Sequence, residues 1–139
     1  MAERLTEELL DELLNSSNID SYLGTNQLGQ KSLAEYLQEL LVEKHLERSR
    51  VVRMADLNET FGYQIFQGQR NPSRNKVLQI AFAMALSLEE LNKALTYTGL
   101  STLYCKNRRD AIIIWCIDHA YSLVKVNEEL FRLGEDTIC

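Results

Sequence analysis

Cys116 and His119 stand three residues apart, a spacing that brings a thiol and an imidazole to one face of a helix. A closed zinc site takes four ligands, and neither Cys105, Cys139 nor His45 supplies a second closely spaced pair, so no metal is expected. Three cysteines, an odd number at irregular spacing, are expected as free thiols. There is no glycine-rich phosphate loop. His45 is better explained as a surface residue and His119 as a helix-packing residue than either is as a catalyst. Neither catalysis nor a cofactor is therefore expected.

The other chemistry on offer is charge. The 139 residues carry a net charge of −5, which at first argues against nucleic acid, but the charge is segregated. Residues 1–43 hold two bases and nine acids (−7), residues 77–139 six bases and eight acids (−2). Between them, Lys44, Arg48, Arg50, Arg53, Arg70, Arg74 and Lys76 face only Glu47, Asp56 and Glu59, giving +4. A local excess of this kind is what a phosphate-facing patch requires. The competing explanation is an ordinary solvated surface.

These side chains need elements to hold them, and the apolar spacing is helical throughout. Leu5, Leu9, Leu10, Leu13 and Leu14 recur between acids over residues 4–15 as an amphipathic helix, followed by a polar, glycine-containing linker over residues 24–32. Ser32 with Glu35 is a capping-box signature opening a helix with the stripe Leu33, Tyr36, Leu37, Leu40 and Leu41. Short helices are expected at Arg48–Ala55 and, with Asn58 as N-cap, at Glu59–Gln67, separated by the turn Asp56–Leu57. Gly68 ends the second of these; Pro72 and Ser73 open a fourth helix, and Ser87 with Glu90 caps a fifth that stops at Gly99.

A shift of 35 residues lays Arg74–Gly99 on Arg109–Gly134, with identities at Arg, Ala, Ser, Leu, Asn, Leu and Gly. Each copy is expected as a helical hairpin with a Ser cap and a Gly stop. The repeat assigns Ala111–Ile117, ambiguous by composition, to a buried helix because its counterpart Lys76–Phe82 is helical. Ile113, Trp115, Cys116 and Ile117 are expected inside. The fold class is all-α, in segments 1–32 (amphipathic helix and linker), 33–99 and 100–139 (the repeated hairpin).

From Leu37 to Pro72, LQELLVEKHLERSRVVRMADLNETFGYQIFQGQRNP resembles the lambda-repressor-like (Cro-type, XRE) helix-turn-helix family without a gap. The closing GQRNPS and the later SLEEL are similar to that family too, and together they cover about half the chain. The resemblance implies a five-helix domain over 33–99 and a sequence-specific transcriptional regulator that reads double-stranded DNA in the major groove with helix 59–67. It places Glu59, Thr60, Tyr63 and Gln64 on the base-reading face and Arg48, Gln69, Arg70, Asn71 and Arg74 around the phosphates. Gln64 suits adenine and Glu59 cytosine, while Tyr63 suits a thymine methyl or a phosphate. Asp56 stands in place of the family's turn glycine, and Gly62 in place of a large apolar residue, with Phe61, Ile65 and Phe66 available to pack around it. Ala85 and Ala120 stand where a helix-ending glycine is expected.

Half-sites are read in pairs, so the resemblance also implies a homodimer. The alternative is a protein-interaction adaptor that keeps the fold without the duplex, suggested by the aromatic FGYQIF segment. A protein partner is expected at the N-terminal leucine helix or at the C-terminal hairpin, whose last copy leaves an apolar face to cover, and dimerisation is the sharper role for that hairpin. The acidic start MAERLTEELLDELL has no signal-peptide character and no run approaches the length of a membrane span, so a cytoplasmic protein is expected.

Overall fold

The computed structural model describes residues 6–25 and 31–139, which form nine α-helices and no strand. The fold is all-α. Leu5 and residues 26–30, which hold much of the expected linker, lie outside the described residues. The chain divides into two compact units, 1–30 and 31–139.

In the first unit α1 spans Thr6–Asn15, and α2, unanticipated from the sequence, spans Ile19–Thr25. Asn18 accepts the Ser21 amide at 2.7 Å, which satisfies one free donor at the start of α2. Gly24 and Thr25, assigned to the linker by composition, belong to this helix. Leu10, Leu13 and Leu14 of α1 are exposed.

The second unit holds α3 (Leu33–Glu43), α4 (Arg48–Met54), α5 (Glu59–Phe66), α6 (Arg74–Ala83), α7 (Leu88–Tyr97), α8 (Arg108–Asp118) and α9 (Leu123–Arg132). Four of the starts the sequence marks are capped by a side chain, but Ser32 closes only half of the box expected with Glu35, and Ser73 makes no side-chain cap bond. Ser32, Asn58, Ser87 and Ser122 each accept an amide of the first turn, and Ser87 with Glu90 closes a full capping box. All seven of these helices end alike: the residue after the C-cap turns left-handed, and the next amide bonds back five residues, as in Leu46 to Leu41 and Leu86 to Ala81. Glycine takes the left-handed position at 68, 99 and 134, but His45, Asp56, Ala85 and Ala120 take it elsewhere, with φ between 52° and 57°. Alanine has no polar side chain to compensate, so its two sites carry real strain, of order 1 kcal/mol each.

One core runs through the unit, from Leu37, Leu40, Val51 and Phe66 to Leu91, Leu95, Ile113, Val126 and Leu130. Segments 33–99 and 100–139 therefore share their apolar interior. α3 packs on α5 and α7, α4 on α5 and α6, while α8 and α9 pack on α7 and α6.

The 35-residue repeat is present in the bonds. Asn92 accepts the Leu103 amide, and Asn127, 35 residues on, accepts that of Ile138. Arg74 reaches the Thr102 carbonyl, and Arg109 that of Thr137. Between the copies the contacts are reciprocal: Arg74 holds Asp110, and Arg109 holds Asn75. Ile113, Cys116 and Ile117 are buried as expected. Trp115 is not: it is 51% exposed, although its counterpart Ile80 is 1% exposed. The equivalence is sound for the backbone, but α3 and α4 cover the outer side of the first copy, whereas no element of residues 31–139 covers α8 and α9 in that way.

Candidate nucleic-acid interface

α5 is fixed at both ends and along its inner side. Asn58 caps it by accepting the Phe61 amide at 3.1 Å, and Gln38 of α3 donates to the Phe66 carbonyl at 2.7 Å. Ile65 and Phe66 are fully buried. Gly62 lies against α4 so closely that a Cβ would meet the two Val52 methyls at 2.6 and 2.9 Å. The large apolar residue expected here is replaced by Val52 reaching across from α4, and the glycine allows the short approach of the two helices.

This anchoring leaves Glu59 and Thr60 exposed and Tyr63 and Gln64 half-buried on the outer edge of α5. Glu59 occupies the first turn, where a carboxylate favours the helix dipole, so its position has a structural reason independent of any ligand. The Arg48 guanidinium lies over the Tyr63 ring, 4.7 Å from its centroid. Arg70 lies 5.8 Å from the Phe61 centroid and donates from Nε to Gln64 Oε1 at 2.9 Å. That oxygen keeps a second lone pair and the amide its N–H groups, so Gln64 retains the acceptor and donor an adenine edge requires. Gln69, Arg70 and Asn71 are exposed in the loop after α5, which the buried Pro72 closes.

Arg74 departs from the role the resemblance gave it. Its guanidinium grips Asp110 through both nitrogens, at 2.8 and 2.9 Å, and also donates to the Thr102 carbonyl. Burial pushes the Asp110 carboxyl up. The Arg74 hydrogen bond, the Tyr104 amide and the charges of Arg74 and Arg109 together outweigh it, holding the group below its ordinary value of 3.8. Asp110 thus stays ionised and Arg74 is paired in place, forming a clamp between the repeat copies. Lys44 is withdrawn from the basic excess too, through Glu90 at 3.0 Å.

Five cations of the central segment remain: Arg48, Arg50, Arg53, Arg70 and Lys76. None is ion-paired among the described residues. Elsewhere Lys31, Lys93, Arg108 and Arg132 each close a pair with a carboxylate. Arg50 and Arg53 are exposed on α4 and were not singled out from the motif, although the charge count had included them.

His45 is exposed and supplies a left-handed helix end. The exposed His119 stacks on Trp115 at 3.8 Å. Cys105 and Cys139 are exposed and Cys116 is buried, all as free thiols. No cluster of three metal-ligating side chains occurs among the described residues, and none of their helices is long and apolar enough to cross a membrane. No family model, curated protein or solved structure matches the chain.

Proposed function

We propose that the protein is a sequence-specific DNA-binding regulator that lays α5 in the major groove, in the manner of the lambda-repressor-like proteins its sequence resembles. One observation carries this reading: five of the eight cations without a carboxylate partner among the described residues fall between residues 48 and 76, and two of them, Arg48 and Arg70, lie on the outer edge of α5. Outside residues 44–76, Lys31, Lys93, Arg108 and Arg132 are ion-paired among the described residues, while Lys106, Arg109 and Lys125 are not. An unpaired set flanking a firmly anchored helix is the arrangement in which phosphate contacts position and a helix edge specifies. Base reading falls to Glu59, Thr60, Tyr63 and Gln64, and phosphate binding to Arg48, Gln69, Arg70 and Asn71, with Arg50, Arg53 and Lys76 adding field.

The adaptor reading depended on the aromatic content of α5, and the packing weakens it. Phe66 is buried, Phe61 and Tyr63 are half-buried, and the Arg48 guanidinium lies over the Tyr63 ring, so less aromatic surface is offered to a protein than the sequence implies.

Selection from a random duplex library tests the proposal. A shared motif should emerge, and Gln64→Ala or Glu59→Ala should change preference at one or two positions by about 1–3 kcal/mol while weak non-specific binding survives. Failure to retain any duplex at low salt would sink the reading.

A further inference from the structure

We propose that the outer face of the second hairpin, between α8 and α9, is the surface through which two copies of this chain associate. A groove of about 610 Å³ runs there, floored by Ile112, Cys116 and Leu133 and walled by Trp115 and Tyr121. The two rings meet edge to face at 5.3 Å. The repeat shows what such a face ordinarily carries. In the first copy, α3 lies against α7 and α4 against α6, and the equivalents of the groove residues Ile112, Trp115 and Tyr121, namely Val77, Ile80 and Leu86, are all buried. The second copy has the same apolar plan with no such cover from residues 31–139, and the chain's only tryptophan stands half in water. A repeat unit that buries one face against its neighbour leaves the other face to be satisfied from outside.

Charge selects the occupant. Residues 1–43 carry −7 and residues 44–76 carry +4, so a two-fold contact through either region sets like charge against like. The groove rim is balanced: Arg132 pairs with Glu129 at 2.6 Å, and Arg108 with Glu135 at 2.8 Å. A two-fold contact here sets a neutral, mixed-sign rim against its own copy around an apolar centre, the layout of a self-complementary interface. In a two-fold contact the second copy brings this same hairpin face. A homodimer built this way also supplies the paired reading heads that the DNA proposal calls for, but it stands without DNA.

The test is sedimentation equilibrium on the full chain, without DNA, from roughly 1 µM to 1 mM. The expected mass rises from 16.0 kDa to twice that value, with the emission of the single tryptophan shifting to the blue along the same curve. Trp115→Glu should weaken association by about 30-fold or more, as at the centre of an interface, with the helical circular dichroism unchanged. If that variant fails to fold, charge exchange decides: Arg132→Glu alone should weaken the dimer about tenfold, and Glu129→Arg added to it should restore it. A chain of 16.0 kDa at every concentration overturns the proposal, as does a dimer that survives Trp115→Glu but is lost on Leu10→Ser/Leu14→Ser. Blue-shifted emission at monomer mass overturns it as well, because the groove is then filled from within the chain or by a small molecule. A dimer that binds no duplex leaves this interface standing and removes the DNA reading instead.

Discussion

Gly62 and Val52 are a fitted pair, and the fit explains a residue that looked out of place. Glycine within a helix costs about 1 kcal/mol relative to alanine, so Gly62→Ala ought to stabilise α5 on propensity alone. The added Cβ, however, would lie 2.6 Å from a Val52 methyl, and Val52 is fully buried with no room to retreat. Overpacking of this kind costs about 1–3 kcal/mol, more than the propensity gain. Gly62→Ala is therefore expected to lower stability by roughly 1–2 kcal/mol in urea unfolding, whereas the same change on a Val52→Ala background should be close to neutral. Equal costs on both backgrounds would refute the pairing. The sequence made Gly62 conspicuous but named Phe61, Ile65 and Phe66 as its compensation. Val52 was hidden because it lies on another helix, ten residues back. The partner of Arg74 was hidden for the same reason, since a sequence displays a charge and conceals what pairs with it: Asp110 lies 36 residues away.

Helix boundaries were legible where caps and stops are local: α5, α7 and α9 begin after Asn58, Ser87 and Ser122 and end just before Gly68, Gly99 and Gly134, whereas α3, α4, α6 and α8 stop at His45, Asp56, Ala85 and Ala120, residues that do not announce a helix end. α2 was not legible: seven residues, containing a glycine and a threonine, present too little apolar period to stand out from a linker. The repeat predicted the paired hairpins correctly and mispredicted Trp115, because equivalence in chain position does not carry equivalence of neighbours. What joins the hairpins is the clamp of Arg74 on Asp110, and it has a pH signature. The Asp110 carboxyl is held below its ordinary value of 3.8, so its contribution to stability is complete above that value and is lost as pH falls through the lower, folded value. Asp110→Asn removes one charge from a largely buried pair and leaves Arg74 partly stranded, a loss of about 1–3 kcal/mol at neutral pH. Thermal unfolding of both proteins across acid pH should show the two curves converging below pH 3.8. A gap that persists at the acid end would mean the substitution acts through packing rather than charge.

For the whole molecule, the distribution of charge decides how a chain of −5 meets a polyanion, and it separates this structure from the residue assignments its motif alone suggests. By motif, Arg74 belongs to the phosphate set, and Arg50 and Arg53 do not. By geometry, Arg74 is neutralised by Asp110, and Arg50 and Arg53 are exposed without an acid partner among the described residues. The salt dependence of duplex affinity distinguishes the two, because each phosphate contact contributes about 0.9 to the slope of log K against log salt. Arg70→Ala should reduce the slope by about one unit, and Arg50→Ala with Arg53→Ala by up to about two, weakening every duplex alike. Arg74→Ala should leave the slope nearly unchanged while lowering the unfolding temperature, since it breaks a clamp inside the protein. The fluorescence anisotropy of one labelled duplex, titrated at four or five salt concentrations with each variant, measures all three slopes. If Arg74→Ala flattens the slope as much as Arg70→Ala does, its guanidinium leaves Asp110 for the phosphates when DNA arrives, and the clamp is then a feature of the free protein alone.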